Sequence, residues 1–203
     1  YPLGKVGKGV FFTTGVKIKN FKGVLEGAGK TSTELVALDE SFQCANEVSN
    51  QPAMLTFLLG EPQVKFMKLS AFEPCQSVGS DDSYSFALVN FTNDGENCNQ
   101  RTQFSKIDRV VFNADSYGED QTVITGVRLA SEPEQCITKP LLGKSLINRS
   151  DFAAMTIGVD TRMGAAAQVD VTFNTFSDNQ FSLLILGANQ ISNILRNTFD
   201  IDN

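Results

Sequence analysis

The sequence predicts an all-β solenoid, on three observations. Helical periodicity is almost absent. Short β-rich runs recur instead, most of them separated by Gly, Asn, Asp or Ser: Val10–Thr14, Val16–Lys19, Leu35–Leu38, Met54–Leu59, Val64–Leu69, Phe86–Asn90, Arg109–Phe112, Val123–Leu129, Met155–Val159, Val169–Phe173 and Leu183–Leu186. Finally, Asn174-Thr175-Phe176 returns 23 residues later as Asn197-Thr198-Phe199, and Phe152 stands 24 residues before Phe176. A period of roughly 20–30 residues built from short strands is one coil of a solenoid.

Composition narrows the function classes. The chain has 203 residues, with 17 Lys plus Arg against 23 Asp plus Glu, a formal charge of −6. That balance disfavours nucleic acid and anionic membrane surfaces, which need a net basic face. No run of about 18 apolar residues exists to span a membrane. Histidine is absent, which removes Ser-His-Asp and Cys-His nucleophilic sites, HExxH zinc sites and any imidazole acid or base. With no Trp and 3 Tyr beside 16 Phe, the aromatic residues serve mainly as core filler. A hydrophobic share of 41% suits one globular unit, here residues 1–203 as a single domain. At ~23 residues per coil, with insertions set aside, about six to eight coils are expected.

Taken in chain order, the start Tyr1-Pro2-Leu3-Gly4 has no charged n-region followed by an apolar stretch, as a mature or excised fragment would. The segment Gly23–Thr31 ends Gly-Lys-Thr, yet Val24 occupies the place where a phosphate loop needs its first Gly. Strand-like Leu35–Leu38 follows rather than a helix, so a solenoid turn is expected and no nucleotide. Cys44, Cys75, Cys98 and Cys136 show no CxxC and lie in polar segments, as disulfides stapling loops outside the cytoplasm would; free cytosolic thiols are the alternative. Two of these loops, roughly Glu73–Ser83 and Ser131–Lys144, read as insertions. The sequons Asn90-Phe91-Thr92 and Asn148-Arg149-Ser150 fit secretion.

Toward the end, the stretch "VDVTFNTFSDNQFSLLILGANQISNILRNTF" alternates a valine-rich strand, an Asn turn, a Thr-Phe strand, a loop and an apolar strand. It resembles the right-handed parallel β-helix repeat family, the pectate-lyase-like architecture. "GVKIKNFKGVLEGAGKTSTELVAL", "PQVKFMKLSAF" and "FSKIDRVVFNADS" look like degenerate coils. In such a stack Phe152, Phe176 and Phe199 form one inward column, and Asn174 and Asn197 satisfy turn backbone groups. The same alignment pairs Phe173 with Arg196; an interior Arg would be costly, so the register slips there or the last coil is frayed. Cys44 is expected to pair with Cys75, and Cys98 with Cys136, since each link joins neighbouring insertions without crossing the axis.

Resemblance also directs the functional expectation. Asp120, Asp151, Asp160 and Asp178 stand beside apolar strands and could line one groove, which would suit Ca²⁺ or a metal-bridged uronate; Asp at turns is equally good turn chemistry. Arg128, at an outward position between Val127 and Leu129, and Arg162, just beyond Asp160, could flank that line. β-helix polysaccharide lyases use Lys or Arg as the base beside a neutralised uronate carboxylate. Gly79-Ser80-Asp81-Asp82 looks like an acidic motif of the related hydrolases, but their His-Gly pair and R-x-K triplet are missing. The expected function is an extracellular polysaccharide lyase acting on an acidic glycan, with a non-catalytic surface, adhesive or structural module as the alternative.

Overall fold

The computed structural model describes residues 3–44, 52–75, 84–92, 102–114, 122–130, 142–161, 166–185 and 193–200. Every regular element among them is a strand. The chain runs β1 (Leu3–Val6), β2 (Gly9–Thr13), β3 (Val16–Phe21), then β4 (Val24–Gly27), β5 (Thr33–Ala37), β6 (Ala53–Gly60). It continues with β7 (Gln63–Lys65), β8 (Lys68–Ala71), β9 (Tyr84–Thr92), then β10 (Thr102–Asp108), β11 (Val111–Ala114), β12 (Thr122–Ala130). Last come β13 (Leu142–Asn148), β14 (Asp151–Ala153), β15 (Ile157–Asp160), β16 (Ala166–Thr172), β17 (Thr175–Ser177), β18 (Phe181–Leu184), β19 (Asn193–Leu195) and β20 (Thr198–Asp200).

Each strand pairs in parallel with the strand three places on, so the chain returns to the same place after every third strand. The first ladder is β1-β4-β7-β10-β13-β16-β19, the second β2-β5-β8-β11-β14-β17-β20, and the third β3-β6-β9-β12-β15-β18. The first and third ladders also touch at Thr102 and Gly60, which joins them into one 13-stranded sheet. The second stands alone as a 7-stranded sheet. Three strands per round match the valine-rich, Thr-Phe and apolar strands read from the last repeat, but several of the runs read elsewhere in the sequence span a corner. The runs Val64–Leu69, Arg109–Phe112 and Val169–Phe173 each contain a corner: Phe66, Arg109 and Phe173 lie at φ 54°, 57° and 59°. A left-handed bend at a non-glycine residue is rare, and nothing in an apolar run marks it. Strand β13 likewise begins at Leu142, inside the expected insertion.

Stacked registers turn a linear repeat into interior columns. Phe112, Phe152, Phe176 and Phe199 are strand partners in turn, with successive ring centroids 4.6, 4.8 and 5.2 Å apart and planes within 9° of parallel. The expected column of three is therefore present, one ring longer than the spacing revealed. Leu69 extends it at the far end. In the first ladder Leu25, Val64, Ile107, Ile147, Val171 and Ile194 form a second column. The third ladder faces the Phe column with glycine: a Cβ at Gly126 would lie 2.9 Å from the Phe152 ring, and one at Gly158 2.9 Å from the Phe176 ring. Only a residue without a side chain fits there.

From β7 onward, two-residue corners join the first ladder to the second. Their second residue points inward, and in the last three rounds it is polar: Ser150, Asn174 and Asn197. Asn174 Oδ1 accepts from the Ser150 N–H at 2.9 Å while its Nδ2 donates to the Ile147 carbonyl at 3.0 Å. Asn197 repeats the pattern on the Asn174 N–H at 2.9 Å and the Val171 carbonyl at 2.8 Å. The side-chain amides thus satisfy corner backbone groups, as the repeat implied. At the next corner Asn179 does the same for the Met155 N–H and the Phe152 carbonyl.

Cys44 and Cys75 form a disulfide, the expected pairing, beside a parallel bridge between Phe42 and Cys75. Cys98 and Cys136 lie outside the described residues. No helix among the described residues is long and apolar enough to cross a membrane.

Candidate functional site

The predicted site residues divide among different ladders. Arg128, on β12, pairs in register with Asn90 on β9 and Asp160 on β15, and Asn90 with Thr56 on β6. Arg128 and Asp160 alternate along their strands with Val127, Leu129 and Val159, which belong to the hydrophobic core. Arg128 is 1% exposed and its Nε donates to Asn90 Oδ1 at 3.3 Å; Asp160 is 4% exposed. A solvent-exposed Arg128 is not what the structure shows: the side chain is buried, as are Val127 and Leu129 on either side of it. What results is a buried polar column in the third ladder, in which the Arg128 guanidinium is hydrogen-bonded to Asn90 and stands in register with Asp160. Asn90 of the first sequon belongs to this column and is 2% exposed, out of reach of a glycan.

Asp151 lies elsewhere. It opens β14 in the second ladder, on the side opposite the inward Phe152, and its Oδ2 accepts from Lys30 Nζ at 2.8 Å. Lys30 is the lysine of the Gly-Lys-Thr segment, so that loop reaches across several rounds to hold a carboxylate. It does so as a polar strap, with the Gly29 N–H on the Phe66 carbonyl at 3.1 Å. Asp178 sits at a corner before β18 with φ 52°, as turn chemistry allows. The structure brings Arg128 and Asp160 into register and keeps Asp151 on another ladder. Asp120 and Arg162 lie outside the described residues. Among the described residues, no group of three or more acidic, Cys or His side chains could hold a metal ion.

The outer face of the first ladder carries a polar network that sequence reasoning missed. Asp170 accepts from Lys144 at 2.7 Å, Asn193 at 2.8 Å and Gln168 at 3.1 Å. Burial raises its pKa, but these three hydrogen bonds and the Lys144 charge outweigh burial and hold the carboxyl below its usual range. Nearby, Asp108 meets Lys106 at 3.3 Å and Asn148 at 3.3 Å, and Thr172 donates to Asn148 at 3.2 Å. On the second ladder Glu34 behaves like Asp170: burial raises its pKa, while hydrogen bonds from Ser70 and Lys68 and the Lys68 charge lower it further.

Also missed was the row of outward corner residues Phe66, Arg109, Arg149, Phe173 and Arg196, each one residue before an inward corner position. Their φ values lie between 52° and 59°. Each of the first four donates its backbone N–H to the residue just before the next corner: Asp108, Asn148, Thr172 and Leu195. Arg196 therefore does not enter the interior. Its guanidinium lies 5.3 Å from the Phe173 ring centroid, and that of Arg109 lies 5.1 Å from Phe66. The pairing of Phe173 with Arg196 read from the repeat is real, but the left-handed bend turns both side chains outward, so no register slip is needed. The signal was present as the residue before each of Asn174 and Asn197.

No protein-family model, curated protein or solved structure matches the chain.

Proposed function

We propose that the three ladders wind as one right-handed parallel β-helix, and that the chain serves outside the cytoplasm as a non-catalytic surface, adhesive or structural module. Support for the winding is the return of every third strand to a parallel partner, since parallel crossovers are right-handed in nearly all proteins. Support for the location is the Cys44–Cys75 disulfide.

One observation favours a module over a lyase: the proposed base Arg128 is buried, and Asp151 lies on another ladder. A base that removes a proton from a polymer must reach the polymer. Arg128 is 1% exposed, and Asp151 stands on a different ladder in the grip of Lys30.

Incubation with polygalacturonate and alginate, with and without Ca²⁺, tests the reading through the ultraviolet absorbance of an unsaturated product. No product is expected in either condition. Product formation lost in Arg162→Ala or Arg128→Ala would replace the module with a lyase.

A further inference from the structure

At the two ends of the strand stack we infer an interface between copies of this chain, joined head to tail so that the ladders of one copy continue into the next. Among the described residues β1 and β2 are paired on one side only, with β4 and β5, and β19 and β20 on the opposite side only, with β16 and β17. Edges left open in this way present rows of unpaired N–H and C=O groups. Because every round runs in the same direction, a second copy translated along the stack sets its β1 parallel to β19 and its β2 parallel to β20. The third ladder ends a round earlier, at β18, so the contact closes over the first two ladders.

The interior columns agree with that register. Followed through its strand partners, the Phe column runs from Phe11 through Leu35 and Leu69 to Phe112 and on to Phe199, so an exposed ring stands at each end. In the joined pair Phe199 meets the second copy's Phe11. The aliphatic column runs from Gly4 to Ile194, and Gly4 has no side chain to obstruct the incoming isoleucine. Nine of the twelve exposed large hydrophobic side chains among the described residues lie on the first or last strand of a ladder. End-to-end stacking therefore removes apolar surface from water where the chain exposes most of it.

Charge selects head to tail over head to head. The first 25 residues hold Lys5, Lys8, Lys17, Lys19 and Lys22 and no acid, so two such ends repel. Residues 175–203 hold Asp178, Asp200 and Asp202 against Arg196, so the far end is acidic. A contact between unlike ends does not close on itself, and its repetition builds a filament. A lipid surface would suit a basic, apolar end taken alone, but it gives the acidic end and the matched columns no role. The inference rests on the reading of the chain as a structural module, and the two can fail separately.

The test is sedimentation velocity of the purified chain over a concentration series, with electron microscopy of the concentrated samples. Growth beyond a dimer and thin unbranched filaments are expected. The register sets Leu195, 58% exposed, against the second copy's Lys5 on the outer face. Leu195→Lys opposes like charges there and should weaken association at least about fivefold, whereas Leu195→Glu should weaken it less. Lys5→Glu combined with Leu195→Lys exchanges the two charges and should associate within about twofold of the Leu195→Glu protein. Phe72→Lys, at an exposed ring away from both ends, should change association less than about twofold. Thermal melts of each variant check the fold. A chain monomeric at every concentration, growth that stops at a dimer, equal loss in Phe72→Lys, or no recovery in the charge-exchanged variant would each overturn the interface. So would a monomer that floats with phosphatidylserine vesicles. Unsaturated product from polygalacturonate in the same samples would overturn the module reading and leave the interface standing.

Discussion

The side-chain oxygen of Asn197 accepts two hydrogen bonds from Asn174, 23 residues earlier: one from its backbone N–H at 2.9 Å and one from its Nδ2 at 3.1 Å. Asn174 in turn serves Ser150, and Ser150 Oγ accepts from the Val110 N–H at 3.1 Å. One corner position in four successive rounds is thereby linked through side-chain amides and a hydroxyl. Each link replaces the water that a buried corner cannot reach.

Asn174→Ala should be among the more damaging single substitutions in this linkage. It leaves the Ser150 N–H and the Ile147 carbonyl buried without partners, and each such group costs about 1–3 kcal/mol. Asn174→Asp, which keeps an acceptor for Ser150 and loses the donor to Ile147, should fall between the two. Urea unfolding of the three proteins measures the order; an Ala variant as stable as the parent would show that the corner is hydrated.

Phe176 stands between Phe152 and Phe199 and is 1% exposed. Phe176→Ala should destabilise by about 3–5 kcal/mol, because stacked rings above and below cannot collapse into the gap. Phe199→Ala, at a ring 47% exposed, should cost markedly less. A melt showing equal loss for both would argue against a packed column.

The Cys44–Cys75 bond closes a loop of sequence separation 31. Chain entropy assigns such a closure on the order of 3–4 kcal/mol. Replacing both cysteines with Ser should lower stability by about that much, and peptide mapping without reductant should recover the 44–75 link.

Stability should fall on acidification, with Asp170 and Glu34 as contributors. Both carboxyls are held below their usual pKa in the folded chain. Their contribution is present above the unfolded value, 3.8 for Asp and 4.5 for Glu, and is lost as pH falls through the lower folded value. Asp170→Asn should flatten the stability profile below about pH 4 and lower stability at neutral pH. An unchanged acid limb in denaturant titrations at several pH values would remove Asp170 from this role.

The last rounds were legible because their period is short and unbroken. Phe152, Phe176 and Phe199, with Asn174 and Asn197, announce an inward column and its corner from spacing alone. Phe112 escaped because an insertion stretches the period: Ser150 meets Val110 across 40 residues, not 24. Hydrogen bonding between rounds is indifferent to the length of the loop outside them, whereas a repeat search is not. The acids and Arg128 were misjudged for a related reason. Alternation along β12 tells which residues share a side, but not that both sides of that strand are buried.

Sequence by itself determined that this chain is all-β, that its last strands recur every 23 to 24 residues, that Cys44 and Cys75 could meet, and that no imidazole chemistry is available. These follow from residue types and spacing, which are local. Tertiary structure alone decided that Phe66, Arg109, Arg149, Phe173 and Arg196 bend left-handed and face outward, and that Arg128 is buried beside Asn90 and Asp160. Those outcomes depend on which residue of another round lies one strand spacing away. That neighbour supplies the hydrogen bond or the ring that makes an unfavourable φ or a buried charge tolerable.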